Sequence, residues 1–128
     1  MKQPAIGAMI AAALLISDAA AIAGPWEDGM AAYNRGDYVS AFRLFRPLAE
    51  QGNARAQTAL GVMFRRGQGV SKNPLRAGMW FSLAAKRGDA DARAGLSRVS
   101  RTLTQQEISQ ADAMANACEA SNYRQCEY

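Results

Sequence analysis

The chain has 128 residues, a formal net charge of +4 and 49% hydrophobic residues, which fits one small domain with a modest core. It contains no histidine, so Ser–His and Cys–His nucleophilic pairs and histidine-ligated metal sites are excluded. The mild positive charge is compatible with an acidic partner, although solubility alone would explain it as well.

The first residues have the pattern of a secretory signal peptide. Lys2 precedes an apolar run of 12 residues over 5–16, and a small-x-small cleavage site ends at Ala23. The run is too short to span a bilayer as a helix, so an uncleaved membrane anchor is the less favoured alternative. We therefore expect a signal peptide over residues 1–23 and a periplasmic or secreted mature chain over 24–128.

Two segments of the mature chain repeat the same apolar pattern. Residues 41–53 read AFRLFRPLAEQGN and residues 77–89 read AGMWFSLAAKRGD, at a shift of 36 positions. In each segment the apolar positions fall at i, i+3, i+4, i+7 and i+8, which is one face of an α-helix. The aromatic residues of this stripe, among them Phe45, Trp80 and Phe81, are therefore predicted to lie in the core.

The segment between the two repeats raises the question of a phosphate-binding loop. Residues 59–70 read ALGVMFRRGQGV, in which Gly67 and Gly69 follow a helical pattern. A phosphate loop follows a strand and carries a lysine after its glycines, and this segment has neither feature. Gly67 is instead predicted to end a helix, and Asn73-Pro74 to open the next one as cap and first helical residue.

The first connection along the chain is a shorter version of this loop. Tyr33 and Gly36 match Phe64 and Gly67 at a shift of 31 positions, and Asp37 takes the place of the helix cap. Further along, Thr104 followed by Glu107 forms a capping box that opens the last helix. The caps and apolar stripes predict an all-α chain with three antiparallel helix pairs, whose helices cover residues 26–35, 38–51, 54–66, 74–87, 89–100 and 104–119.

The two cysteines, Cys118 and Cys126, lie eight positions apart near the C-terminus. In an exported protein, an even and closely spaced pair of this kind indicates a structural disulfide. A metal site would need further cysteine or histidine ligands, and a redox pair is more usually C-x-x-C, so these alternatives are less favoured. No metal or other cofactor is predicted.

The central residues resemble the Sel-one-like repeat (SLR), a 36-residue relative of the tetratricopeptide repeat. That family's pattern is A-x-x-x-L-G-x-x-[YF]-x-x-G-x-G-V, then x-[KR]-A-x-x-W-[YF]-x-x-A-A-x-x-G. The matching positions are Ala56, Leu60, Gly61, Phe64, Gly67, Gly69, Val70, Arg76, Ala77, Trp80, Phe81, Ala84, Ala85 and Gly88. The resemblance covers most of residues 27–119, and the cysteine spacing also resembles that of cysteine-rich SLR proteins. It implies a short right-handed α-solenoid with pairs at about 26–51, 54–87 and 89–119, followed by a disulfide-closed tail.

The resemblance also implies a non-catalytic protein–protein interaction module of the adaptor or scaffold type. An alternative is an envelope hydrolase, such as a weak β-lactam or peptidoglycan-directed enzyme. The S-x-x-K arrangement of penicillin-recognising enzymes is absent, and the nearest case, Ser82 to Lys86, has the spacing S-x-x-x-K. A third possibility is a purely structural partner of a larger complex. Neither nucleic-acid binding nor stable membrane insertion after signal cleavage is expected.

In the related tetratricopeptide fold, the first helix of each pair lines a concave groove. If Leu60, Gly61 and Phe64 are packing positions, the repeat shifts place the remaining positions in that groove. The predicted partner-binding residues are Glu27, Asn34, Arg55, Thr58, Arg65, Arg98 and Arg101. Because arginine suits carboxylates and phosphates, the hypothesis is an acidic peptide segment or exposed C-terminus of an envelope protein as ligand. The alternative is that these arginines form only a solvated helix face.

Overall fold

The structure is a computed structural model that describes residues 23–126. The predicted signal peptide, apart from its last residue Ala23, lies outside the described residues. The described part contains six α-helices and no strand. They are α1 (Pro25–Asn34), α2 (Tyr38–Glu50), α3 (Ala54–Arg66), α4 (Pro74–Lys86), α5 (Ala90–Ser100) and α6 (Gln105–Ala120). Each lies within one residue of its predicted bounds, and the predicted all-α fold of the solenoid type is confirmed.

Side-chain caps set where five of the six helices begin. The capping residues are Asp37, Asn53, Asn73, Asp89 and Thr104, and each accepts a hydrogen bond from the backbone N–H three residues later. The donor–acceptor distances lie between 2.9 and 3.3 Å. Such a cap stabilises a helix by about 1 kcal/mol. The capping residues therefore explain why the first residues of the helices could be predicted from the sequence.

The loop after α3 is a turn, as its sequence predicts. Gly67 ends α3 with φ +69°, in the left-handed region, and its N–H donates to the Met63 carbonyl. At Gly69, a Cβ atom would lie 2.5 Å from the carbonyl oxygen of Tyr38. Only glycine permits this close approach, so Gly69 seats the loop against the start of α2.

Helix α4 lies at the centre of the packing. Helices α1 and α2 pack on each other, as do α3 and α4, and α2 packs on α3. Helices α5 and α6 both pack on α4 and have few contacts with each other, which differs from the packing of the first two pairs. On α4, Trp80 and Phe81 are fully buried, as their place in the repeated stripe predicts.

Glycines on the first helices allow the phenylalanines of the second helices to pack closely. A Cβ at Gly61 or at Gly95 would lie 2.6 Å from two ring carbons of Phe81. A Cβ at Gly29 would likewise lie 2.5 Å from the ring of Phe45. Gly29 and Gly61 therefore occupy equivalent positions, and the structural shift between α1 and α3 is 32 residues rather than the 31 inferred from the sequence.

The C-terminal tail is tied back onto the helices. Cys118 and Cys126 form the predicted disulfide, with their Cα atoms 4.5 Å apart. Inside the loop that it closes, Tyr123 is buried, and its hydroxyl accepts hydrogen bonds from the guanidinium of Arg87. The tail is thus held at the end of α4. Within residues 23–126, none of the helices combines the length and the apolar character that crossing a bilayer would require.

Candidate functional site

An apolar groove runs between α1 and α3, the first helices of the first two pairs. Met30 and Tyr33 of α1 line it on one side, and Ala59 and Val62 of α3 line it on the other. The buried ring of Phe45 lies at its base, and the cavity measures about 210 Å³. We call this cavity the α1–α3 groove. Its walls are almost free of polar atoms, so it suits an apolar side chain.

Polar contacts hold both ends of this groove in place. Towards the start of the two helices, the guanidinium of Arg55 lies 4.3 Å from the centre of the Trp26 ring, a cation–π contact. At the other end, the Tyr33 hydroxyl donates to Oε1 of Gln68 at 2.8 Å. The same hydroxyl accepts a hydrogen bond from Arg66 at 3.4 Å. The α1 wall is therefore fixed to α3 and to the loop that follows it.

A second cavity, of about 240 Å³, lies where the ends of α3 and α5 meet the loop before α4. We call it the basic pocket, and its lining residues are Arg65, Lys72, Pro74, Arg98, Val99 and Thr102. Three of these six side chains carry a positive charge. The ion pairs within residues 23–126 have Glu50 and Glu119 as their acidic members. Neither of these residues pairs with a cation of the basic pocket.

Arg65 is the residue of the basic pocket whose environment departs most from that of an ordinary surface arginine. Its Nε atom is buried and has no hydrogen-bond partner among residues 23–126. Burial, followed by the charges of Arg66 and Arg98, lowers the pKa of Arg65 below its ordinary value. An anion in the pocket would offset the repulsion between the arginines.

The groove and the pocket are neighbours along α3. Val62 lines the first and Arg65 lines the second, and three residues of α-helix rise about 4.5 Å. Side chains three apart on a helix point to the same side. A single bound segment can therefore reach both cavities.

The structure brings together only some of the residues predicted from the sequence to bind a partner. Arg65 and Arg98 line one pocket. Arg55 lies at the far end of the α1–α3 groove, over Trp26. Thr58 is half-buried, and its hydroxyl donates to the carbonyl of Ala54 at 3.0 Å.

The remaining three predicted residues are Glu27, Asn34 and Arg101. All are exposed, and none of them lines the α1–α3 groove or the basic pocket. For the two residues on α1 the reason is the one-residue difference in register. A shift of 32 residues relates Val62 on α3 to Met30 on α1. The shift of 31 inferred from the sequence instead gave Glu27 and Asn34, which lie on the exposed face of α1.

Sequence reasoning missed the α1 wall of the groove and one cation of the basic pocket. Trp26, Met30 and Tyr33 follow one another at i, i+4 and i+7 on α1, a stripe that the sequence does contain. Lys72 lies in a loop, where no periodic pattern reveals its direction. It reaches the basic pocket because the loop doubles back after Gly67, whose own Cβ would lie 3.2 Å from that of Lys72.

A larger depression of about 480 Å³ lies on the outer side of α2, beside Val39. Val39 is 58% exposed, and Arg46 and Glu50 in the same depression form an ion pair at 3.1 Å. Arg43 also lines the depression, so one positive charge remains there beside the ion pair, compared with three in the basic pocket. Within residues 23–126 there is no group of three or more acidic or cysteine side chains placed to hold a metal ion.

Comparison with protein-family models matches this chain to the Sel1 repeat over residues 18–53 and 54–89. The two matches together span more than half of the 128 residues. The first begins inside the predicted signal peptide, and the second begins immediately after Asn53, the cap of α3. Comparison with curated proteins gives no significant match.

Proposed function

Because the chain belongs to the Sel1 repeat family, we propose that it is an exported, non-catalytic adaptor that binds a partner protein through the first helices of its pairs. The observation that carries the proposal is the pair of repeat matches, which together cover α1 to α4. Sel1 repeats are generally protein–protein interaction modules, and the family is typically non-catalytic. The α1–α3 groove and the basic pocket give this chain a surface suited to that role.

Two features support the exported location. The signal-peptide pattern over residues 1–23 is one of them. The other is the disulfide between Cys118 and Cys126, because disulfides persist in oxidising compartments such as the periplasm. Mass spectrometry of the protein recovered from cell envelopes should give a chain that begins at Gly24. Recovery of the uncleaved chain from the cytoplasm would refute export.

An acidic partner is the second part of the proposal. Three cations, the side chains of Arg65, Lys72 and Arg98, converge in the basic pocket. Two arginine forks and a lysine offer strong charge-assisted hydrogen bonds to an anionic ligand. The right-handed, concave arrangement of an SLR solenoid would place this pocket and the α1–α3 groove on the same inner surface.

The test is affinity capture from envelope extract with the oxidised mature protein as bait. A second bait carries Arg65→Glu and Arg98→Glu, and a third carries Arg93→Glu as a matched control. Arg93 is exposed on α5 and does not line the basic pocket. Far-UV circular dichroism should show the same helicity for all three baits.

We expect one partner to bind the wild type and the Arg93 variant and to be lost from the double variant. Equal capture by all three baits would place the interface elsewhere, for example on the outer side of α2 or on the tail. Capture of no partner by any bait, together with turnover of a β-lactam or peptidoglycan substrate that survives rigorous purification, would refute the adaptor role.

A further inference from the structure

The α1–α3 groove and the basic pocket differ in the chemistry that they accept. The groove is apolar, with Phe45 at its base, and the pocket carries three positive charges. Their volumes, about 210 and 240 Å³, are below the roughly 300–1,000 Å³ of pockets for small-molecule ligands. Each is therefore better matched to one side chain of a partner than to a free metabolite.

We infer that the two cavities together bind one segment of the partner, with an apolar side chain in the α1–α3 groove and an aspartate or glutamate side chain in the basic pocket. The inference rests on the proposed function, and it specifies the kind of segment recognised. Val62 and Arg65 lie about one helical turn apart, so the apolar and acidic residues of the partner are close in its sequence.

The pocket favours a side-chain carboxylate over the carboxylate of a chain terminus. Chain termini are commonly held by clusters of backbone N–H groups. In the basic pocket the first residue of α4 is Pro74, which has no N–H. The N–H of Arg76 already donates to the side chain of Asn73. The pocket consequently offers the charged side chains of Arg65, Lys72 and Arg98 as its strongest donors.

The cation–π contact between Arg55 and Trp26 explains why the acid enters at one end of the groove and not at the other. The guanidinium of Arg55 lies 4.3 Å from the centre of the Trp26 ring, so its charge is already engaged by that contact. Arg65, in contrast, shares the basic pocket with two other cations, Lys72 and Arg98. A carboxylate gains more in the basic pocket than at Arg55, since three positive charges converge there and the Arg55 guanidinium is already engaged with Trp26.

The experiment uses an array of synthetic ten-residue peptides with amidated C-termini. The peptides of the first class contain an acidic and a large apolar residue within four positions of each other. The second class contains the acidic residue alone, the third the apolar residue alone, and the fourth neither. A copy of the array with free C-terminal carboxylates distinguishes a chain terminus from a side chain. The oxidised wild-type protein should bind the first class most strongly on both copies.

Variants assign each part of the segment to its cavity. Arg65→Gln or Arg98→Gln should weaken binding of the first class about tenfold or more, to the level of peptides with the apolar residue alone. Arg93→Gln, on the same helix as Arg98 but outside the pocket, should leave binding unchanged. Ala59→Leu fills the groove and should reduce binding to the level of the acidic residue alone, whereas Ala117→Leu on the exposed side of α6 should not.

Binding that depends on the free C-terminal carboxylate, or that ignores the Arg65 and Ala59 changes, would overturn the inference. So would a complete lack of peptide binding. In each of these cases the proposed function would stand if envelope extract still yields a partner that cross-links to the protein. If the extract yields none either, the inference and the proposed function fail together.

Discussion

Replacing Gly95 with alanine tests the packing that holds the third helix segment on α4. In the structure, a Cβ at this position would lie 2.6 Å from two ring carbons of Phe81, well inside the 3.5–4.0 Å of ordinary carbon contacts. Phe81 is fully buried, so its ring cannot turn towards solvent without giving up its packing. Overpacking of this kind costs about 1–3 kcal/mol.

A glycine-to-alanine change in a helix also gains about 1 kcal/mol of helix propensity, and a matched control removes that contribution. Gly78→Ala is a suitable control because Gly78 is also helical and buried, and its Cβ would meet that of Ala111 at 3.3 Å, a much milder contact. The free energy of unfolding of Gly95→Ala should therefore be about 1–3 kcal/mol lower than that of Gly78→Ala.

The assay is urea unfolding followed by far-UV circular dichroism, with the midpoint and slope fitted for each variant. In a Phe81→Leu background, which removes the ring, most of the Gly95→Ala cost should disappear, because the two residues are in contact. Equal stability of Gly95→Ala and Gly78→Ala, or an undiminished cost in the Phe81→Leu background, would refute the close helix approach on which α5 depends.

Two further predictions concern the tail and the start of α2. Reduction of the disulfide, or Cys118→Ser with Cys126→Ser, should lower the free energy of unfolding by about 2–3 kcal/mol while leaving the helix content almost unchanged; an unaltered urea midpoint would contradict this. Hydrogen bonds from the side chain and backbone N–H of Ser40 lower the pKa of Asp37. The ionised Asp37 therefore contributes to stability above the ordinary carboxyl pKa, and this contribution is lost as the pH falls through the lower pKa of the folded state. A carboxyl NMR titration should give Asp37 a lower pKa in the folded protein than in urea, and an equal or higher value would be inconsistent with its capping role.

Much of the fold could be predicted because the helix boundaries are set by local capping residues and glycines. Asp37, Asn73 and Thr104 cap helices in the structure, and Gly67 ends α3 in the left-handed conformation that glycine adopts most easily. The repeated apolar stripe likewise identified Trp80 and Phe81 as core residues. These signals depend on neighbours within one or two helical turns, so a single sequence contains them.

The packing of α5 and α6 could not be predicted in the same way. Both helices contact α4 and have little contact with each other, and that choice depends on the shape of the α4 surface. Gly95 receives the ring of Phe81, and Gly78 lies beside Ala111 of α6. An isolated glycine within a helical pattern does not reveal which side chain will fill the space above it.

The candidate site was only partly predictable for a related reason. The repeat shift of 36 relates Arg98 to Val62 and Arg101 to Arg65, and of these two arginines of the third segment only Arg98 lines the basic pocket. The α1 wall of the groove depends on whether Gly29 or its neighbour faces Phe45, a difference of one residue that rotates a helix face by about 100°. The position of Lys72 depends on the path of the loop after Gly67, where Gly69 lies close to the Tyr38 carbonyl, and no periodic pattern in the sequence reveals that path.

The most direct test of the adaptor role is photo-cross-linking in intact cells, with a photoreactive amino acid at position 62 in one strain and at position 39 in another. Val62 lines the α1–α3 groove, whereas Val39 is exposed on the outer side of α2. We predict that one envelope protein cross-links at position 62 and not at position 39, and that Arg65→Glu with Arg98→Glu abolishes this cross-link. Cross-linking at position 39 alone would place the interface on the outer side of α2, and cross-linking at neither position would contradict the proposal that this surface binds a protein.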